Sequence, residues 1–222
     1  MSPDERWTFG VEPLPQTEIV AGLLRDVTSQ VLALEQEDAD VEQLIADLRR
    51  AAAALEEKVP ADLRPRIGPA ADGDGRVYVD HARDIGAFNP SFPEYELVVD
   101  GGHASGTVTF PLAYEGPPGI VHGGFLAVFF DSVVQHHHCD VGVAGKTTSL
   151  ALRYRRPTPL LTPLTFTIER RVEGDRIHSV AQLANGEKVV CEAEVEAIAG
   201  VRANLPEVSP RRPAPSPEEA GR

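Results

Sequence analysis

The sequence predicts an α+β fold in which a strongly curved antiparallel sheet wraps one central helix. Two observations carry this prediction. Segments with strand and helix patterning follow one another in the order ββ–α–ββββ. The helical one, IVHGGFLAVFFDSVVQHH, is apolar nearly all round, so most of its sides must be covered. A curved sheet folded about it is the simplest cover.

The elements follow in order. The first sixteen residues carry proline at 3, 13 and 15 and no periodicity, and read as an extended leader. From Thr17, Ile19, Leu23, Val27 and Val31 recur at helical spacing. A second helix follows EQEDAD, with Val41, Leu44, Ile45, Leu48 and Leu55 on one stripe. Asp40 is its expected N-cap, with Gln43 completing a capping box. Residues 1–60 thus form an N-terminal α-helical hairpin extension, packed on the main domain or on a partner subunit. Residues 61–93, rich in proline and glycine, read as a linker wrapping the main domain. That domain spans 94–200. YELVVD and ASGTVTF form two strands about a turn at Asp100-Gly101-Gly102. After EGPPG and the apolar helix, TTSLALRYR places Leu150, Leu152 and Tyr154 on one face, and PLTFTIERRV aligns Leu164, Phe166 and Ile168. RIHSVAQLA turns at Asn185-Gly186 into EKVVCEAEVEAI, where Glu192, Glu194 and Glu196 alternate with Cys191, Ala193, Val195 and Ala197. Residues 201–222 form a proline-rich charged tail, expected to be disordered.

Charge narrows the function classes. A net charge of −13 argues against a nucleic-acid partner, which needs a basic surface. The charge is uneven: residues 17–58 hold ten acids against four bases, whereas 101–200 hold ten against eight. The second segment can therefore offer cationic patches to an anionic ligand. Two cysteines make no disulfide scaffold and suit a reducing compartment, and Cys191 reads as a small buried hydrophobe. No apolar run approaches a membrane span, and MSPDERWTFG lacks the features of a signal peptide. A cytoplasmic protein is expected. No GxGxxG or Walker-type loop points to a dinucleotide or nucleoside triphosphate.

Chemistry concentrates in VHGGFLAVFFD. Gly123 and Gly124 follow His122 where the helix should begin. The first N–H groups of a helix lack internal partners and sit at its positive end. Glycine lets a ligand carbonyl approach that backbone. This is what a carbonyl oxygen requires as negative charge builds on it; the same glycines would also serve tight helix–strand packing. Asp131 interrupts an apolar run. A carboxylate there is costly unless paired or facing a wet cavity, and such an environment raises its pKa and readies it as a base. A structural Asp bonded to backbone is the competing reading.

AYEGPPGIVHGGFLAVFFD and LRYRRPTPL, set in ββ–α–ββββ order, resemble the hotdog fold of the PaaI-type acyl-CoA thioesterases over roughly residues 85–198. The resemblance implies a CoA thioester as substrate, with no separate cofactor. It makes Asp131 the carboxylate that activates water or attacks the thioester, and Gly123 the oxyanion donor, with Gly124 beside it. Thr147 would orient water or the carboxylate, against an ordinary strand threonine. His122 would position the turn and the substrate carbonyl. Carboxylate and glycine come from different protomers in that family, which implies a homodimer or dimer of dimers. Where some members carry Asn or Gln before HGG, this chain has Tyr114, Glu115 and Gly116, so either Glu115 is a polar substitute or that role is absent. Where related sequences continue with small residues, this one has Gln135 and then HHHCD. Arg155 and Arg156 are candidate phosphate ligands, Arg156 first, against solvated surface arginines; alternation separates Arg156 from Arg153 and Arg155. The alternatives are a non-catalytic acyl-CoA or lipid-binding hotdog protein and a hydratase built on Asp131 and His138.

The run His136, His137, His138 invites a metal, but consecutive helical residues point about 100° apart and cannot share one ion. His138 lies two turns past Asp131 with Gln135 between, so Gln135 and His138 are expected to line the same cavity, while another histidine is exposed.

Overall fold

A computed structural model describes residues 7–213. In chain order they form α1 (Pro15–Leu32), α2 (Ala39–Glu56), a short α3 (Ile85–Phe88), β1 (Tyr95–Asp100), β2 (His103–Val108), α4 (Gly123–Asp140), β3 (Gly145–Tyr154), β4 (Leu164–Glu173), β5 (Arg176–Asn185) and β6 (Lys188–Ala199). The strands make one antiparallel sheet in the order β1-β2-β4-β5-β6-β3. Alternation of apolar and polar residues sets the inner face, clearest in β5, where Ile177, Ser179, Ala181 and Leu183 are buried. The tight β5–β6 turn needs positive φ, which Gly186 supplies at 58°. After α4 the chain crosses to the far edge, so β3 pairs with β6 alone.

α4 is the axis of the core. Leu126, Phe129, Phe130, Val133 and Val134 are buried against Phe110, Leu164, Phe166 and Ile168. Phe129 meets the rings of Phe166 at 5.2 Å and Phe110 at 5.6 Å, edge to face. The hotdog architecture expected from the sequence is the one observed. Its helix is nevertheless not covered all round. Gly124 and Asp131 are exposed on a stripe beside the edge strand β3, whose Lys146, Thr147, Thr148 and Ser149 are exposed too.

The appended segments differ more from expectation. α1 does not bury the stripe of Ile19 and Leu23, which stay 64% and 58% exposed; it buries Ala21 and Arg25. The Arg25 guanidinium donates to Gly86 O at 2.6 Å and Phe92 O at 3.4 Å and pairs with Glu94 at 2.7 Å. Charge-assisted bonds, not an apolar seam, thus dock α1 on α3. α2 has no buried residue, so the helices do not bury their apolar stripes against each other. Its cap is Asp38, not Asp40: the Asp38 carboxylate accepts from the Asp40 N–H at 2.8 Å. Gln43 instead reaches Asp47 at 3.0 Å.

The linker is held by short pairings, Val11 with Val79, Pro65 with Arg76 and Ile67 with Val208. The last of these overturns the expected disorder of the tail as far as residue 213. Arg202–Asn204 form a 3-10 turn, and Arg202 lies over Trp7 at 5.3 Å. Ser209 is buried, and Arg66 donates to Pro210 O at 3.0 Å. Backbone groups offered by the linker give the tail partners that its composition does not reveal. Residues 214–222 of that tail lie outside the described residues. Among the described residues no helix is long and apolar enough to cross a membrane.

Candidate active site

The site is organised around the start of α4. The turn before it closes on itself: Gly116 N–H donates to Ile120 O at 2.8 Å, and Gly119 N–H donates to the Glu115 carboxylate at 2.6 Å. The Glu115 side chain is therefore engaged with its own loop and does not line the cleft beside it. A Cβ on Gly116 would stand 2.8 Å from His122 Cα, so this position demands glycine. His122 is the N-cap of α4, with Nδ1 accepting from the Gly124 N–H at 3.0 Å. That acceptor role places the ring proton on Nε2. The Gly124 N–H is thereby consumed, while the Gly123 N–H has no partner among the described residues. It stands at the positive end of an 18-residue helix.

In front of it opens a cleft of about 650 Å³, lined among others by His122, Gly123, Tyr154, Arg155 and Arg156. Tyr154 is a site residue that sequence reasoning missed. Its hydroxyl donates to Gly123 O at 3.1 Å, and a Cβ on Gly123 would meet that oxygen at 2.9 Å. Strand alternation sets Tyr154 on one face with Leu150 and Leu152, and that is its one signal. Arg155 is held by Glu192, with Nε at 2.7 Å and Nη2 at 2.6 Å. Arg156 donates to Val189 O at 2.6 Å and has no carboxylate partner among the described residues, so its charge remains available to the cleft.

Asp131 follows Gly123 by eight residues. The Thr147 hydroxyl donates to its Oδ1 at 2.9 Å, so the structure brings these two together. The expected burial of this carboxylate is not observed. Asp131 is exposed, because nothing within one chain covers the stripe between α4 and β3. At 1.5 Å per residue, Gly123 and Asp131 stand about 12 Å apart along the helix.

The far end of α4 behaves differently from expectation. His138 is fully buried, with Nε2 at 2.9 Å from Ser179 Oγ under β5. Although seven residues displace it by only about 20° from Asp131, the helix has by then passed beneath the sheet. His138 therefore lines no cavity with Asp131, and the pair needed for hydratase chemistry is not formed. His137 is buried, with Nε2 at 2.8 Å from Gly101 O, and His136 is buried beside Tyr95, 3.2 Å from its hydroxyl. None of the three is exposed, and each faces a different partner. Burial lowers the pKa of His137, and that of His138 to about 3, with the Arg170 charge adding to the effect. Among the described residues no cluster of three ligating side chains could hold a metal ion. Both cysteines are free and buried, which pushes the Cys139 thiol up to about 12 and Cys191 to about 11. Neither supplies a thiolate near neutral pH. Gln135 faces a second cleft, away from Gly123.

Comparison with solved structures adds to this geometry. A thioesterase superfamily protein of known crystal structure is 30% identical and aligns over 87% of this chain and 96% of its own, with a TM-score of 0.67. That span exceeds the sheet and α4, so the likeness extends into the appended segments. A hypothetical thioesterase protein from Streptococcus pneumoniae, crystallised with coenzyme A, aligns over 48% of this chain and 88% of its own at 23% identity and a TM-score of 0.45. The PaaI protein of E. coli aligns over 47% and 82% at 20% identity and a TM-score of 0.44. No family model and no curated protein matches the sequence.

Proposed function

This chain belongs to the thioesterase superfamily, and from that premise we propose that it hydrolyses an acyl-CoA thioester as a homodimer. The observation that carries the reading is the unpartnered Gly123 N–H at the head of α4, opening on a cleft with an uncompensated Arg156. Such a donor has a use where negative charge develops on a carbonyl oxygen. Arg156 supplies the cation that a CoA phosphate requires.

The reaction then follows. Thr147 holds Oδ1 of Asp131, leaving Oδ2 to take a proton from water. The water oxygen bonds to the thioester carbon, and the charge moves to the carbonyl oxygen, where the Gly123 N–H of the partner subunit receives it. Collapse breaks the C–S bond, and the proton on Asp131 passes to the departing sulfur. A thiol pKa of about 8.5 makes that departure easy. Gly123 and Asp131 stand just over two helical turns apart in one chain, and a two-fold axis can set Asp131 of one copy against Gly123 of the other.

Mixing two inactive variants tests this arrangement. Gly123→Pro deletes the donor N–H; proline suits the first helical position and the His122 ψ of 132°, and its Cβ, which would meet the Tyr154 hydroxyl at 2.9 Å, pushes that side chain aside. Alone it is expected to lose roughly 10²–10³-fold in thiol release. Exchanged with Asp131→Asn subunits, it should recover about a quarter of wild-type activity per chain, because half the dimers then hold one intact site. No recovery despite confirmed subunit exchange would sink the shared site. CoA esters bound without thiol release by the wild type would make the chain a binding module instead.

Arg156→Ala is expected to raise KM roughly tenfold with little change in kcat, and the difference should shrink with added salt. An unchanged KM would remove Arg156 from the CoA site.

A further inference from the structure

The second cleft, of about 310 Å³, is built largely by segments outside the sheet. Trp7 and Phe9 of the leader, Tyr78 and His81 of the linker and Leu205 of the C-terminal strap form its walls. These walls are fastened. Trp7 N–H donates to Cys139 O at 2.8 Å, and Phe9 N–H to the Asp80 carboxylate at 3.1 Å. The ring of Phe9 lies 5.3 Å from Tyr78, and Tyr78 lies 5.7 Å from His81. Trp7 packs so closely over Gly200 that a Cβ there would meet the ring at 3.2 Å.

Its floor adjoins the catalytic pair from both sides. Gln135 lies one turn, about 6 Å, past Asp131 on the same helical stripe. Lys146 immediately precedes Thr147, the residue that holds Asp131. An acyl chain leaving the thioester carbon at Asp131 along this stripe enters a wall of aromatic and aliphatic side chains.

We propose that this cleft receives the far end of the acyl group, so that the leader, linker and strap select CoA thioesters of extended aliphatic chains. The inference rests on the thioesterase reading, and it identifies the work of the appended segments. Gln135 and Lys146 are the polar part of the floor over which the chain passes. Each methylene that enters adds roughly fourfold to affinity, until the cleft is full.

S-alkyl-CoA thioethers, which cannot be hydrolysed, probe the cleft apart from turnover. By calorimetry on the intact protein, affinity is expected to climb from S-butyl- to S-octyl-CoA by roughly fourfold per methylene and then level off. Phe9→Ala, which opens a wall, should cut the octyl-over-butyl ratio at least tenfold. Leu205→Trp, which fills the space, should stop the gain at a shorter chain. A wild type with no dependence on length, or an unchanged ratio in both folded variants, overturns the proposal. Thiol release from acetyl- to dodecanoyl-CoA separates the two readings. Length-dependent binding without any hydrolysis sinks the hydrolase and supports the cleft; hydrolysis indifferent to length overturns the cleft alone.

Discussion

Asp131→Asn is expected to lower thiol release by roughly 10²–10⁴-fold, the usual contribution of a positioned general base. The substitution keeps the shape of the side chain and an oxygen that accepts from Thr147 at the site of the 2.9 Å bond. It removes only the group that takes a proton from water. Because Asp131 is exposed in the single chain, stability should move by no more than about 0.5 kcal/mol. Steady-state kinetics with a thiol reagent, beside a melting curve, gives both numbers. The loss should fall on kcat, with KM for the CoA ester nearly constant. Full activity in the variant would end the role assigned to Asp131, whatever the fold.

The second large effect is on stability in mild acid. The imidazole of His138 has its pKa lowered to about 3 in the folded protein, first by burial and then by the charge of Arg170. In the unfolded chain it titrates near 6.5. Between these values the unfolded state binds a proton that the folded state refuses. The stabilisation is thus complete above about pH 6.5 and is lost as pH falls toward 3, with a slope approaching ~1.4 kcal/mol per pH unit for this one proton. Between pH 7 and pH 5 the loss from His138 amounts to about 2 kcal/mol. His137, also lowered by burial, acts in the same direction. Urea unfolding at the two pH values should show this drop in the wild type and a drop smaller by about that amount in His138→Gln. Glutamine retains a polar group toward Ser179 and does not titrate. Equal pH dependence in the two proteins would show that His138 is not held neutral.

Both predictions draw on the same helix, and they divide what was legible in it. The strands were legible because alternation has a period of two and the turns carry their own signatures, as at Asn185-Gly186. The head of α4 was legible for a related reason: His122, Gly123 and Gly124 act through backbone groups next to them in the chain. Thr147 and Asp131 are a different case. They lie 16 residues apart and meet only because β3 returns beside α4. Tyr154 escaped notice because a strand tyrosine on an apolar face looks like core until its hydroxyl is seen at Gly123 O.

The sequence by itself determined the six strands, the central helix, their order along the chain and the local geometry of the helix start, since each depends on short-range periodicity or on one cap. Tertiary structure decided the rest. It left Asp131 in solvent and buried His138, two residues on nearly the same helical face, because one lies beside an open sheet edge and the other beneath the sheet. It docked α1 through Arg25 and left Ile19, Leu23, Leu24 and Leu32 of that helix exposed. It folded the strap around residues 202–213 back onto the linker to wall a cleft. Burial belongs to the surroundings of a residue, and only the packed chain supplies those surroundings.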